Sequence, residues 1–85
     1  MKPKVYILKL KNDQYYVGST NCLERRLNEH NLGIIKSTKY KIPAKIVFHQ
    51  EFSSLTKTRK IEYKIKKQKS RKIVEEIISK DHTLF

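Results

Sequence analysis

Two tyrosines, Tyr6 and Tyr16, lie ten positions apart near the start of the chain, and Gly18 follows two residues after the second. A phenol can accept or transfer a proton when its surroundings lower its pKa from the ordinary value of about 10. Tyrosine is also common in strands, where its ring packs against a neighbouring strand. Cross-strand packing therefore explains each tyrosine taken singly, and a chemical role requires other polar side chains nearby.

A second candidate pair, Arg26 and His30, is separated by four residues in a segment whose leucines have helical spacing. Residues four apart share one helix face, so the two side chains form a polar stripe beside the apolar one. A guanidinium group binds a phosphate through two parallel hydrogen bonds. Because Arg25 and Glu29 are also four apart, we expect them to pair and to leave Arg26 available to a phosphate. A solvated polar stripe is the alternative explanation.

Glu62 is the only acidic residue in the strongly basic segment 57–67. The simplest role for its side chain is an ion pair with Lys66, four residues later, worth about 0.2–0.5 kcal/mol. A carboxylate can also hold magnesium, which needs few protein ligands and completes its shell with waters and substrate phosphate oxygens. The residues alone leave both roles open.

Segments rich in β-branched and aromatic residues predict three strands, over residues 4–10, 15–19 and 45–52. The first two strands form a hairpin. Tyr6 and Tyr16 share a sheet face only if a three-residue turn, 11–13, joins these strands, since side chains alternate between the two faces. Tyr6 then faces Gly18, which leaves a recess beside the phenol, while Tyr15 points to the opposite face.

Apolar residues at helical spacing predict three helices, over residues 22–31, about 54–67, and from 70 onward. Asn21 is predicted to cap the first helix and Gly33 to end it. Ser53 or Ser54 is predicted to cap the second helix, and Ser70 the third. The order β-β-α-β-α-α predicts an α+β fold, a small three-stranded antiparallel sheet flanked by helices.

The charge of the chain points to a polyanionic partner. Twenty Lys and Arg residues against 8 Asp and Glu give a formal net charge of +12 over 85 residues. This predicts nucleic-acid binding; a ribosome-associated protein and a domain kept soluble by its lysines are the alternatives. At this length we expect one modest core, and therefore a single domain over residues 1–85.

Two lysine-rich regions are predicted to contact the nucleic acid: the loop over residues 34–45 and the helices over residues 57–72. The segment 34–43 has no clear period and is predicted to be a basic surface loop. The phosphate-binding residues expected there are Lys36, Lys39, Lys41, Lys66 and Lys67. Cys22 is the only cysteine, which favours a reducing, cytoplasmic location. No apolar stretch approaches the length of a signal-peptide core or a membrane span, so we expect no membrane association.

Taken together, these residues resemble the GIY-YIG nuclease family, in particular its small standalone single-domain members, over nearly the whole chain. The corresponding motifs are Lys4-Val5-Tyr6, Tyr16-Val17-Gly18, Arg26 with His30 on the first helix, and the metal-binding Glu62 on a later helix. Lys4 stands where the first motif has glycine. Several relatives carry an asparagine after the glutamate, and the nearest small polar residue here is Ser70.

The resemblance implies hydrolysis of phosphodiester bonds in DNA with one Mg²⁺ or Mn²⁺ ion, in a structure- or damage-related process such as DNA repair. Tyr6 would be the general base or would position the attacking water, with its pKa lowered by neighbouring cations such as Arg26. Arg26 would neutralise charge on the phosphate, Tyr16 and His30 would be hydrogen-bonding or proton-relay partners, and Glu62 would hold the metal. Gly18 would keep the recess open.

A noncatalytic nucleic-acid-binding module that retains the nuclease fold is the alternative function. The expected partner in either case is DNA, with RNA not excluded. No protein partner is evident, so we expect a monomer or a weak oligomer.

Overall fold

A computed structural model describes residues 2–83 as three strands and three helices. The elements in chain order are β1 (Lys4–Lys9), β2 (Tyr15–Thr20), α1 (Leu23–Asn31), β3 (Lys45–Glu51), α2 (Leu55–Gln68) and α3 (Arg71–Lys80). The strands form one antiparallel sheet in the order β2-β1-β3, so β2 lies at an edge. The predicted α+β fold and its element order are confirmed. Within the described residues, no helix has the length and apolar character needed to cross a membrane.

The β1–β2 hairpin has the register that brings the two tyrosines to one face. Tyr6 lies opposite Gly18, and Tyr16 lies opposite Leu8. Asp13, the last residue of the three-residue turn, adopts a φ of 64°, in the left-handed region that aspartate tolerates better than most residues. The predicted turn length and register are therefore confirmed.

The two faces of the sheet carry separate cores. The core against α2 and α3 is built from Val5, Ile7, Val17, Phe48, Ile61, Ile65, Val74 and Ile77. The core on the α1 side is built from Tyr6, Leu8, Leu10 and Ala44, with Tyr16, Leu23 and Leu27 packed against it. Each fully buried aliphatic side chain contributes about 1.5–3 kcal/mol. Tyr15 packs on the α2–α3 core, which confirms that it points away from Tyr16.

The helices begin at the predicted caps except for α1. Ser54 caps α2 and Ser70 caps α3, each accepting a hydrogen bond from a backbone N–H three residues later. The predicted Asn21 cap is wrong, because the N-cap of α1 is Cys22, which makes no side-chain cap hydrogen bond. The Thr20 hydroxyl accepts the Cys22 N–H at 3.1 Å. This local turn holds the chain before α1, so the helix begins one residue later than predicted.

The segment 34–43 packs back onto the α1 side of the sheet. Gly33 ends α1 as predicted, with a φ of +77°. The expectation of a surface loop over 34–43 is wrong in one respect: Lys36 and Lys39 are exposed, but Thr38 is completely buried. This buried threonine brings the segment into contact with the residues that the hairpin and α1 position.

Candidate active site

The Tyr6 phenol lies against Gly18 of the neighbouring strand. A Cβ atom added at Gly18 would lie 2.5 Å from Tyr6 Oη and 2.6 Å from Cζ, well inside contact distance. Tyr6 is only 1% exposed. The predicted recess beside the phenol is therefore wrong: the phenol itself fills the space that the missing glycine side chain leaves.

His30 brings helix α1 into contact with both site tyrosines. Its Nε2 atom lies 3.1 Å from Tyr6 Oη in a buried hydrogen bond. Its ring packs edge-on against Tyr16 with a centroid separation of 4.9 Å, and the two tyrosine centroids are 6.3 Å apart. Aromatic pairs in such arrangements contribute about 0.5–1.5 kcal/mol beyond their burial. Three of the predicted site residues thus lie in one cluster.

Thr38 is a member of this cluster that sequence reasoning missed. Its Oγ1 atom lies 2.8 Å from His30 Nδ1, and both side chains are completely buried. The segment around Thr38 has no hydrophobic period and is rich in lysine, so its pattern favours exposure. The only signal that the sequence offers for Thr38 is its hydroxyl side chain, next to Ser37. A hydroxyl side chain does not distinguish a buried position from an exposed one.

Arg26 projects from α1 next to the Tyr6 phenol, but it forms an ion pair within the chain. Its Nη1 atom lies 3.2 Å from Glu29 Oε1, with about a third of each side chain exposed. The expected Arg25–Glu29 pair is wrong, because Arg25 donates instead to Asn21 Oδ1 at 3.4 Å. An ion pair this exposed is worth about 0–1 kcal/mol. A phosphate can therefore compete with Glu29 for the guanidinium group at little cost.

Burial dominates the ionisation of the two central groups. Loss of solvent raises the pKa of Tyr6 to about 12, although Arg26 acts in the opposite direction. The expectation that neighbouring cations lower this pKa is therefore wrong for the free protein. Burial, followed by the positive charge of Arg26, lowers the pKa of His30 from its ordinary value of 6.5. At neutral pH Tyr6 keeps its proton and His30 is uncharged, so the tautomer of His30 decides which of the two groups donates in their hydrogen bond.

Glu62 reaches the edge strand β2 from helix α2. Its Oε1 atom accepts a hydrogen bond from Ser19 Oγ at 2.5 Å, and its Oε2 atom lies 2.6 Å from Lys66 Nζ. The same ammonium group lies 5.8 Å from the centroid of the Tyr16 ring. The negative charge of Glu62 also raises the pKa of Tyr6. Glu62 is thus beside the cluster, and Ser19 is a second residue that sequence reasoning missed.

A depression of about 270 Å³ opens beside Arg26, between the end of β2 and the first turns of α1 and α2. Three arginines line it, Arg25, Arg26 and Arg59, together with Ser19. Arginine clusters of this kind bind phosphate by charge-assisted hydrogen bonds. The depression is therefore a candidate phosphate site, and its lining residue Ser19 is hydrogen-bonded to Glu62.

Comparison with known proteins identifies the fold. The family model of the GIY-YIG catalytic domain matches residues 2–74. This chain belongs to the GIY-YIG family. A UPF0213 protein of Clostridium perfringens is 42% identical over 64 residues, which cover 74% of this chain and 69% of that protein. A UPF0213 protein of Staphylococcus haemolyticus is 38% identical over 79 residues, covering 88% of this chain and 96% of that protein.

A solved structure agrees with the assignment. The solution NMR structure of a UPF0213 protein from Bacillus halodurans is similar with a TM-score of 0.59 and 32% identity, covering 93% of this chain and 84% of that one. The names of these relatives give no activity, metal or substrate. The GIY-YIG domain is a nuclease fold, whose members are typically endonucleases that act on nucleic acid and commonly use divalent metals.

Few side chains near the tyrosine cluster could serve as ligands of a divalent metal ion. Among residues 2–83 there is no group of three or more His, Cys, Asp and Glu side chains that could hold a metal ion. Glu62 supplies one carboxylate, oriented by Ser19 and 19% exposed. Magnesium fits such a site because it retains several waters and takes further oxygen ligands from substrate phosphates. The residues therefore fit one water-rich ion, provided that Lys66 moves off the carboxylate.

The five lysines predicted to bind nucleic acid differ in their surroundings. Lys36, Lys39 and Lys67 are exposed, whereas Lys41 is half-buried. Lys66 is exposed but paired with Glu62. The exposed lysines are suited to contact phosphates of a nucleic acid bound by the GIY-YIG domain.

Proposed function

We propose that this chain is a divalent-metal-dependent endonuclease that hydrolyses phosphodiester bonds in DNA, with structured or damaged DNA as its substrate and DNA repair as its setting. The observation that carries the proposal is the buried Tyr6–His30 hydrogen bond beside Arg26 and the arginine-lined depression. We further propose that residues 1–85 act as one domain. Cys22, the only cysteine, favours a reducing compartment such as the cytoplasm.

The arginines would bind the scissile phosphate. The neighbouring Tyr6 hydroxyl raises the pKa of Arg26, so the guanidinium group stays charged. Arg26 lines the depression together with Arg25 and Arg59. Fixed positive groups at this point would stabilise the negative charge that grows on the phosphate oxygens during attack.

The pKa values favour a relay rather than a phenolate. Because the pKa of Tyr6 is about 12, the phenol is protonated at neutral pH. Tyr6 would take a proton from the attacking water while passing its own proton to the uncharged His30 at Nε2, 3.1 Å away. The net base is then His30, and Tyr6 need not ionise first. Tyr16 would support the imidazole through its edge-on ring contact.

Glu62 would hold the single Mg²⁺ or Mn²⁺ ion. When bound, the ion would act as a Lewis acid on the phosphate and on the leaving oxygen. Ser19 holds one carboxylate oxygen by a hydrogen bond and so fixes the direction in which the other points. Gly18 serves the same site indirectly, because it allows the Tyr6 ring to lie against β2.

A noncatalytic nucleic-acid-binding module with the same fold is the second candidate. The observation that favours it is that Arg26 and Glu62 are both paired within the chain, with Glu29 and Lys66. Such pairs are what a charged surface without chemistry would contain.

A cleavage assay of Glu62→Gln separates the two candidates. The substrates are nicked, branched, damaged and ordinary duplex DNA, with an RNA duplex for comparison, in magnesium, manganese or chelator. In the nuclease, wild-type cleavage requires metal and the variant shows none, because a lost Lewis acid costs several kcal/mol of transition-state stabilisation. Affinity for DNA without metal should hold or rise, since a negative charge has been removed.

Glu75→Gln is the matched control. Glu75 also pairs with a basic residue four positions away, because its Oε2 atom lies 3.3 Å from Arg71 Nε. This pair lies on α3, whereas the Glu62 pair lies on α2. The loss of Glu75 removes the same charge without touching the site, so cleavage should match that of the wild type. Wild-type cleavage by Glu62→Gln in both metals would instead exclude the metal role of Glu62 and favour the noncatalytic module.

A further inference from the structure

A buried chain of hydrogen bonds joins Tyr6 to the backbone of the 34–43 segment. Tyr6 Oη lies 3.1 Å from His30 Nε2, and His30 Nδ1 lies 2.8 Å from Thr38 Oγ1. Thr38 Oγ1 in turn lies 3.5 Å from the carbonyl oxygen of Ile35. Tyr6 is 1% exposed, and the His30 and Thr38 side chains are completely buried. Solvent therefore does not decide which atom of each pair carries the proton.

An uncharged imidazole carries one proton, so the chain has two possible directions. In the first, Tyr6 donates to His30 Nε2, His30 Nδ1–H donates to Thr38, and Thr38 donates to Ile35. In the second, Thr38 donates to His30 Nδ1, and His30 Nε2–H donates to Tyr6. The two directions correspond to the two tautomers of His30.

The surroundings of the phenol distinguish these directions. Arg26 lies beside the phenol, but its guanidinium group has donors and no acceptor. In the second direction the phenol oxygen would accept the His30 Nε2–H, and its own buried proton would have no acceptor among the hydrogen bonds of residues 2–83. Buried donors without an acceptor are rare and unfavourable. In the first direction every proton of the chain has an acceptor.

We propose that Thr38 is a positioning residue that holds His30 as the Nδ1–H tautomer, which leaves Nε2 free to accept the Tyr6 proton. This inference rests on the proposed function, because only the nuclease requires Tyr6 to pass a proton on. When it does, the attacking water gives a proton to Tyr6 Oη, and the Tyr6 proton moves to His30 Nε2. The water oxygen then bonds to phosphorus, the bond to the leaving oxygen breaks, and that oxygen takes a proton from solvent. His30 afterwards returns its extra proton to Tyr6, which releases one proton to solvent, so both groups regain their starting states.

Thr38 also suits the charged state of His30. The imidazolium has two N–H donors, and Thr38 Oγ1 accepts the one at Nδ1 both before and after proton transfer. The ring therefore does not have to rotate during the relay. Outer partners that orient metal-binding histidines commonly contribute 10- to 100-fold to activity, and we expect an effect of the same order for His30.

The tautomer is measured directly by long-range proton–nitrogen NMR of His30 in ¹⁵N-labelled protein at neutral pH. In the wild type Nδ1 should be the protonated nitrogen and Nε2 the unprotonated one. Thr38→Val, which keeps the shape of the side chain but removes the acceptor, should shift His30 toward the Nε2–H tautomer. Thr38→Ser should restore the wild-type pattern.

Thr58→Val is the matched control, since Thr58 is also completely buried and donates its hydroxyl proton to a backbone carbonyl, that of Ser54, at 2.8 Å. It should lose stability as Thr38→Val does but leave the His30 tautomer unchanged. In the cleavage assay Thr38→Val should be about 10- to 100-fold slower, with Thr38→Ser and Thr58→Val close to the wild type.

The outcomes separate this inference from the proposed function. A wild-type His30 in the Nε2–H form overturns the inference even if no valine variant folds, and so does an unchanged tautomer in folded Thr38→Val. If the tautomers behave as expected but the wild-type protein cleaves no nucleic acid, the hydrogen-bond chain stands and the nuclease function fails. If cleavage is metal-dependent but insensitive to Thr38→Val, the function stands and the role of Thr38 is lost.

Discussion

Replacing Gly18 by alanine tests the tyrosine cluster without reference to any activity. The added Cβ would lie 2.5 Å from Tyr6 Oη and 2.6 Å from Cζ. Ordinary contact distances are about 3.5–4.0 Å, so the ring has to move by roughly 1 Å or more. The ring is 1% exposed and its hydroxyl is bonded to His30, so this movement disturbs both the packing and the hydrogen bond. Overpacking costs about 1–3 kcal/mol, and the hydrogen bond adds about 0.5–1.5 kcal/mol.

We therefore expect Gly18→Ala to lose roughly 1.5–4.5 kcal/mol of unfolding free energy. For a domain of this size, about 4–8 °C of Tm is lost per kcal/mol, so Tm should fall by roughly 6–36 °C. Urea unfolding and thermal melting followed by circular dichroism measure both quantities. A Gly18→Ala protein within about 0.5 kcal/mol of the wild type, below the smallest cost of overpacking, would refute the close packing of Tyr6 on β2.

Gly33 is a control of a different kind. Its φ is +77°, and a Cβ added there would only touch the Lys39 Cβ at 3.9 Å. Gly33→Ala should therefore lose about 1–2 kcal/mol through left-handed backbone strain alone. Asparagine tolerates that conformation, so Gly33→Asn should recover part of the loss. Gly18→Asn should recover nothing, because at Gly18 the obstacle is the Tyr6 ring.

The tyrosines, His30 and the lysines each have a separate test. Tyr6→Phe should slow cleavage about a hundredfold or more at neutral pH. Tyr15→Phe loses only an exposed 3.4 Å hydrogen bond and should not change the cleavage rate. Equal losses of activity in the two variants would contradict the assignment of the two tyrosines to opposite faces of the sheet. Because burial and Arg26 lower the pKa of His30 below 6.5, the unfolded chain binds more protons near that pH. The unfolding free energy measured in urea should therefore fall as the pH drops below about 6.5, and His30→Gln should lose this slope. The logarithm of DNA affinity, measured by fluorescence anisotropy, should fall with log salt by about 0.9 per phosphate contact, and a salt-independent affinity would exclude such contacts.

The hairpin and the position of its tyrosines were predictable from the sequence for a physical reason. Side chains alternate strictly along a strand, so the turn length alone decides whether Tyr6 and Tyr16 share a face. The helix α3 was predictable because its apolar residues repeat every three or four positions. In both cases a local period carries the information.

The features that the sequence did not predict depend on contacts between distant segments, and such contacts produce no local periodicity in the sequence. Thr38 is buried only because the 34–43 segment folds back on α1 and meets His30. Both Arg26 and Arg25, three and four residues before Glu29, have a spacing that allows an ion pair with it. In the folded protein Glu29 pairs with Arg26. The direction of the Tyr6 pKa shift follows from burial, which the sequence does not measure, rather than from the number of nearby cations.

Lys66 already supplies a cation at the carboxylate proposed to hold the metal. Its Nζ lies 2.6 Å from Glu62 Oε2, and the lysine side chain is 49% exposed. A pair this exposed is worth about 0–1 kcal/mol, so a divalent ion can displace the ammonium group but has to overcome that attraction.

We therefore expect weak Mn²⁺ binding to the free protein and binding about 3- to 5-fold tighter to Lys66→Gln, which corresponds to up to about 1 kcal/mol. Lys67→Gln is the control, because Lys67 forms no ion pair with the residues that the structure describes, and its loss removes the same charge from the next position. Calorimetric titration with Mn²⁺ in the absence of DNA measures the difference without any cleavage. If Glu62 is only a surface ion-pair partner, neither variant should gain Mn²⁺ affinity, and equal gains in both would show that general charge rather than the Glu62 carboxylate is responsible. A gain confined to Lys66→Gln, and abolished when Glu62→Gln is added, identifies the carboxylate as the metal ligand.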